Sequence, residues 1–309
     1  MSKRAILLLC LTACAAPDNT ALLEELEAAA SAKPRPELRA RTLDPSAYRP
    51  IGPLRGATLA MLDGKVPIVL ARINGVQMPC ILDTGTTHIV MSGAAARACR
   101  LYIPAAPSME LLTPGYSARF RMGAPESVEF AGNRFSGGVA LVAERGSGIA
   151  HRLGIKGDVH ATIGTAILSN FRVTFDFKTR KIELVPSKAE PFAGVMWTEV
   201  RINGITKFML VDSGANGIFL EPAFAFELGL ISERQRKRLD TKGQTYLQAH
   251  FGAVELDTVG FGPMVFTNVS AHVVKVIDDE SRGGLLGIAG LGKHRWTLDY
   301  AQRRTLLSK

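Results

Sequence analysis

Ile81-Leu82-Asp83-Thr84-Gly85-Thr86-Thr87 returns later in the chain as Leu210-Val211-Asp212-Ser213-Gly214-Ala215-Asn216. In both places a short apolar run ends in an acid, a hydroxyl residue and a glycine. An apolar run of this length leading into an acid reads as a buried strand that delivers a carboxylate to its end. The glycine then allows a tight turn that brings backbone N–H groups toward that carboxylate. A single Asp-Ser/Thr-Gly is also an ordinary turn sequence, so the weight lies in the duplication.

The surroundings repeat as well. Arg72-Ile73-Asn74-Gly75 precedes the first triplet and Arg201-Ile202-Asn203-Gly204 the second, with one offset for Asn and Asp alike (203 − 74 = 212 − 83 = 129). Asn-Gly between alternating apolar residues marks a tight hairpin. Farther on, Val128, Phe130, Phe135 and Val142 match Val259, Phe261, Phe266 and Val273 at an offset of 131. Ile163-Gly164 matches Leu286-Gly287, and Phe175-Asp176-Phe177 matches Leu298-Asp299-Tyr300, both at 123. The fall from 131 to 123 places about eight extra residues in the first half, within Gly146 to Asp158. A repeat this long means two lobes and not a solenoid, which needs at least three short units.

Short Val, Ile and Phe runs punctuated by Gly and Pro predict a mainly β, all-β class fold in two similar lobes, with short helices. Helices are expected over Gly93 to Arg100 and Pro222 to Leu230, one after each triplet. The lobes are expected at 57–188 and 193–309, with the boundary near Pro186 to Ala193. At 309 residues the chain can bury one large core or two modest ones.

The net charge of +9 raises an anionic partner as a question. The basic residues are scattered, and the one run, Arg234-Gln235-Arg236-Lys237-Arg238, reads as a solvated helix face. Nucleic acid is therefore not expected as a partner. No apolar stretch reaches the ~18 residues of a membrane-spanning helix.

The N-terminus reads as an address. Lys3 and Arg4 precede the apolar Ala5 to Leu11, and Leu11-Thr12-Ala13-Cys14 resembles the lipobox of a bacterial lipoprotein signal peptide. The resemblance implies a signal at 1–13 and acylation of Cys14. It also implies a periplasm-facing place in the bacterial cell envelope, outer membrane before inner because residue 15 is alanine. An ordinary secretory signal is the alternative. Residues 14–56 read as a tether: Ala21 to Ala32 is helix-prone, and Lys33 to Pro53 carries five prolines, as an extended spacer does. Packing of part of it along the folded body is the other reading.

From about Ala57 to Lys309 the chain resembles the retropepsin-like and pepsin-like aspartic peptidases. The marks are the doubled apolar-apolar-Asp-Thr/Ser-Gly-Thr/Ala motif and the two apolar-Gly pairs. The resemblance implies an aspartic endopeptidase acting on peptide or unfolded protein, a monomer whose two β-barrel-like lobes, related by a pseudo-twofold, each supply one aspartate, and no cofactor or metal. Carried over, Asp83 and Asp212 are the catalytic pair. Thr84, Gly85, Thr86, Ser213, Gly214 and Ala215 form the supporting loops. Gly164 and Gly287 fall behind those loops.

Such enzymes close a hairpin flap over substrate. Tyr116 and Tyr246, 33 and 34 residues after their aspartates, are the flap candidates, each with an alternative reading as a strand or core residue. The Trp usual after the first triplet in pepsins is replaced by His88-Ile89-Val90, and the body is shorter than a full pepsin. Two fused retropepsin-like halves are the nearer likeness.

Two carboxylates held close cannot both ionise cheaply, so the pair keeps one proton. Thr86 is expected to donate a hydrogen bond to Asp83 and favour its ionised form, which Ala215 cannot do for Asp212. That asymmetry would set the pH optimum above that of a gastric-type enzyme. Cys80 and Cys99 are open to two readings, a disulfide or two buried thiols. The six histidines lack metal-ligand spacing, Gly284 to Gly292 lacks that of a phosphate loop, and no GxSxG elbow is present. The competing function is a catalytically silent peptide-binding or envelope-scaffold lipoprotein of the same fold. Two like charges kept at one site favour the enzyme.

Overall fold

A computed structural model of the chain describes residues 48–62, 66–104, 109–113, 116–143, 161–192, 194–239, 251–275, 277, 279–291 and 294–308. The lipobox with Cys14, the tether up to residue 47, Tyr246 and the expected insertion within Gly146 to Asp158 lie outside the described residues.

The fold is mainly β. The first half runs β1 (Tyr48–Pro50), β2 (Ala57–Ala60), β3 (Ile68–Ile73), β4 (Val76–Leu82), β5 (Ile89–Met91), α1 (Gly93–Ala98), β6 (Met109–Thr113), β7 (Tyr116–Gly123), β8 (Val128–Phe130), β9 (Asn133–Gly137), β10 (Ala140–Ala143), β11 (Ala161–Ile163), α2 (Thr165–Leu168), β12 (Phe171–Asp176) and β13 (Lys181–Pro186). The second runs β14 (Trp197–Ile202), β15 (Ile205–Asp212), β16 (Ile218–Leu220), α3 (Pro222–Glu227), α4 (Glu233–Leu239), β17 (Phe251–Phe261), β18 (Met264–Val273), β19 (Gly284–Gly287), a 3-10 turn (Ile288–Leu291), β20 (Arg295–Asp299) and β21 (Arg304–Ser308). No described helix is long and apolar enough to cross a membrane. The basic run lies on α4, where Arg236 and Lys237 pair with Glu233.

Both Asn-Gly pairs turn hairpins. Asn74 and Gly75 have φ of 50° and 82°, Asn203 and Gly204 of 45° and 89°, the positive values a two-residue β turn requires. Each asparagine also pins its hairpin to a distant strand. Asn74 Oδ1 accepts the N–H of Glu126 and Ser127, and Asn203 Oδ1 accepts that of Thr258.

The two halves differ in how their sheets close. Strands β14-β15-β19-β16-β18-β17 form a closed barrel, whereas the first half is a ten-stranded open sheet, β1-β9-β8-β3-β4-β11-β5-β10-β7-β6. The cause is local. β9 ends at Gly137 and β10 begins only after Gly138 and Val139, and Pro125 lies between β7 and β8. Their counterparts Asn268-Val269 and Leu256 lie within the unbroken strands β18 and β17.

Residues 48–56, expected in the tether, are part of the body. Tyr48 is buried, β1 pairs antiparallel with β9, and Ile51 N–H donates to the Arg134 carbonyl at 2.7 Å. The aromatic ring found a place to bury, and Pro50 can stand in an edge strand because it needs no partner for a missing N–H.

A second sheet, β2-β13-β12-β20-β21, joins the halves. Its central pair, β12 and β20, sets Phe175 opposite Trp296 and Thr174 opposite Thr297. Thr174 and Thr297 are repeat counterparts, separated by 123 residues, and their hydroxyls meet at 2.9 Å. Contact of a residue with its own counterpart marks an isologous, twofold-like junction. Trp296 is fully buried there, its ring 5.0 Å from that of Phe261. Trp296→Ala is expected to lower the unfolding free energy by about 3–5 kcal/mol, the cost of a large cavity in a close-packed core, read by urea denaturation.

Candidate active site

Strand β4 ends at Leu82 and β15 at Asp212, so each acid sits at a strand terminus. Behind each runs a parallel neighbour: β11 pairs with β4, with Asp83 N–H donating to the Ile163 carbonyl at 3.0 Å, and β19 pairs Gly287 with Asp212. Gly164 and Gly287 back the two loops as expected. A Cβ on either would run into backbone carbonyls of the Thr86–His88 or Ala215–Gly217 segment.

The loops lock into each other through four bonds. Thr84 N–H donates to Ser213 Oγ at 3.1 Å and Ser213 N–H to Thr84 Oγ1 at 2.9 Å. Thr84 Oγ1 donates to the Val211 carbonyl at 2.9 Å and Ser213 Oγ to the Leu82 carbonyl at 2.5 Å. Each hydroxyl thus accepts from and donates to the opposite loop. Both side chains are fully buried, where an unpaired hydroxyl costs about 1–3 kcal/mol.

That lock brings the carboxylates together. Asp83 and Asp212 are 2% and 0% exposed. Asp83 Oδ1 accepts Gly85 N–H at 2.9 Å, and Asp212 Oδ1 accepts Gly214 N–H at 2.7 Å and Ala215 N–H at 3.1 Å. Gly85 faces the opposite acid so closely that a Cβ would overlap the Asp212 carboxylate, and one on Gly214 would lie 3.0 Å from Asp83 Cγ. Burial first, and the neighbouring Asp212 charge second, hold the Asp83 carboxyl well above the usual carboxylate range, against the backbone N–H groups that pull it down. A buried pair in this state keeps one proton, one oxygen donating and the others accepting.

The expected role of Thr86 does not hold. Its hydroxyl is buried and makes no hydrogen bond to the protein, and what Thr86 supplies to Asp83 comes from its backbone N–H. The two acids are served alike by backbone donors, so the Thr86/Ala215 difference does not select the ionised partner.

Cys80 and Cys99 are both free and buried, and no disulfide joins them. Burial pushes both thiols up, Cys99 to about 12. The His88 ring is largely buried, which lowers its pKa, and its Nδ1 lies 2.6 Å from Thr87 Oγ1. Tyr116 opens β7 at the turn end of the β6–β7 hairpin, opposite Thr113.

Two buried polar residues, Tyr300 beside the acids and Glu221 before α3, escaped the sequence reading. Tyr300 is buried, and its phenol is pushed up by burial and then by the charges of Asp83 and Asp212. Its only trace in the sequence is its match to Phe177. Glu221 is fully buried before α3; it accepts the Ile277 N–H, and its other oxygen lies 3.7 Å from Lys275 Nζ. A carboxylate at the counterpart of Ser92 carries no pattern that foretells this. Among the described residues no three His, Cys, Asp or Glu side chains gather as a metal site.

Residues 198–289, which carry Asp212 but not Asp83, match the family model described as aspartyl protease. Among solved structures the chain is similar to a retropepsin-like aspartic protease from Rickettsia conorii, at 15% identity over 45% of this chain and 95% of that chain, with a TM-score of 0.31. No curated protein matches the chain.

Gly85→Ala is expected to force the carboxylates apart, and nuclear magnetic resonance titration of the pair should then show separate, less perturbed carboxyls. The raised pKa also has a stability consequence. A group whose folded pKa exceeds its unfolded value contributes stability below the unfolded value, near 3.8 here, and loses it as pH rises through the folded one. Asp83→Asn should therefore raise Tm relative to the wild type at pH ~7, with the gain vanishing at pH ~3.5.

Proposed function

We propose that the chain is an aspartic endopeptidase that cleaves peptide bonds in flexible or unfolded polypeptides. The observation that carries this reading is the buried Asp83–Asp212 pair, held by the reciprocal Thr84–Ser213 lock. In the proposed reaction a water between the carboxyls gives a proton to the ionised member and attacks the scissile carbonyl, while the protonated member donates to the developing oxyanion. Collapse of the tetrahedral species breaks the C–N bond, and the amine leaves with a proton from the pair. No covalent intermediate forms.

The reading has further parts. The lobes are 57–188, with residues 48–56 strapped onto the first, and 193–309, in one monomer. The β6–β7 hairpin with Tyr116 serves as a flap, with Tyr246 its counterpart. Cys14 carries a lipid that holds the body to the periplasmic side of a bacterial membrane, the outer one before the inner. The match of residues 198–289 to the aspartyl protease model supports the chemistry.

The test is hydrolysis of casein by the full chain beside Asp83→Asn and Asp212→Asn, with and without a statine-type inhibitor. Each substitution should cost on the order of 10²–10⁴ in kcat, and the inhibitor should block turnover. Because burial holds the Asp83 carboxyl well above the usual range, the pH–rate maximum should lie above that of a gastric-type enzyme. Folded protein without turnover at any pH would instead favour the silent peptide-binding lipoprotein.

A further inference from the structure

The two halves treat one edge differently. In the first half, β9 is flanked by β8 on one side and β1 on the other, with Tyr48 opposite Gly137, Arg49 opposite Ser136 and Pro50 opposite Phe135. At the repeat offset of 131, Arg134, Phe135, Ser136, Gly137 and Gly138 become Val265, Phe266, Thr267, Asn268 and Val269. The geometry follows the offset, since Gly137 and Asn268 both have positive φ, 79° and 54°. Yet on the side where β1 would lie, β18 is paired only at Ala271 to Val273, with β16. No described strand runs beside Val265 to Asn268.

The side chains register the missing strand. Phe135 is fully buried while Phe266 is only partly so, and Val265 is 66% exposed, the most exposed large apolar residue described. Beside this edge lies a cavity of about 420 Å³ lined by Asn216, Gly217, Phe266, Val269, Leu291 and others, none of them an acid, lysine or arginine. Val265 and Thr267 are the outward members of the strand. Phe261 and Met264 close the two-residue β17–β18 turn, so Met264 and Phe266 bond to β17 and the alternate residues point away. Their first-half counterparts bear this out, for it is the Arg134 carbonyl that accepts Ile51 N–H.

We infer that the open edge of β18 at Val265 to Asn268 is a docking site for an extended, uncharged segment of the substrate polypeptide, added antiparallel as β1 is added to β9. Main-chain bonds to Val265 and Thr267 supply affinity, and the cavity takes an alternate side chain. That side chain is smaller than Tyr48. The Tyr48 ring lies over Gly138, where a Cβ would be 2.5 Å from it, and Val269 already fills the counterpart space. The substrate is the chosen occupant because Asn216 and Gly217 follow the Asp212 loop directly, so the edge extends from the wall of the site. This step rests on the peptidase reading.

The probe is a fluorescein-labelled peptide with the sequence of residues 47–53, carrying valine for Tyr48 and threonine for Arg49. Anisotropy is read on full-length Asp83→Asn protein, so no turnover is needed. The peptide should bind, a statine-type inhibitor should not displace it, and Thr267→Pro should weaken it at least about tenfold. That substitution removes the outward N–H but leaves the β17 ladder intact, and circular dichroism checks the fold.

Fusing the peptide to a cleavable substrate should lower KM about tenfold through effective concentration, a gain that Thr267→Pro removes. Absence of binding, binding indifferent to Thr267→Pro, or displacement by the inhibitor would overturn the site. So would wild-type dimers that Thr267→Pro dissolves, since a second copy would then hold the edge. If the wild type proves inactive on every substrate, the peptidase reading fails while anisotropy still decides whether the edge binds.

Discussion

Everything at the centre of this molecule depends on keeping two like charges out of water and within reach of each other. Left alone, Asp83 and Asp212 would repel and hydrate. The structure offsets that with geometry: the Thr84 and Ser213 hydroxyls each bridge to the opposite loop, and glycines sit where any side chain would push the acids apart. The cost then appears as a raised proton affinity at Asp83.

The same constraint explains why the fold is built from two halves joined at counterparts. A pair of equivalent carboxylates is most simply placed on a twofold-like axis, and two contacts mark that axis, Thr84 with Ser213 and Thr174 with Thr297. Departures from symmetry are then informative. The break after Gly137 opens the first half's sheet, Tyr48 covers one of its edges, and no described strand covers the corresponding edge of the second half.

Much of this was legible in the residues. The doubled acidic triplets, the Asn-Gly hairpins and the constant offsets located the strands, the short helices and the meeting of Asp83 with Asp212, because close backbone approaches demand glycine and strand-end acids demand apolar leads. What was not legible depends on partners distant in sequence. Whether Thr86 bonds to Asp83 is decided by rotamer and packing. Burial of Tyr48 depends on its pairing with β9, and the perturbed phenol of Tyr300 on its own burial and on two acids far away in the chain. Whether a sheet closes depends on where its strands break, and the breaks at Gly138 and Pro125 have no counterpart at Val269 and Leu256.

Strand β12 has a further consequence through its partner. Its neighbour β20 spans Arg295–Asp299, near the end of the chain. A ribosome delivers the chain from the N-terminus, and the early half therefore waits with an unpaired strand edge while more than a hundred later residues are made. Thr84 waits as well, for Ser213. The carboxylate pair is consequently absent throughout most of synthesis. The unpaired β12 edge makes that same interval the period of greatest exposure to aggregation.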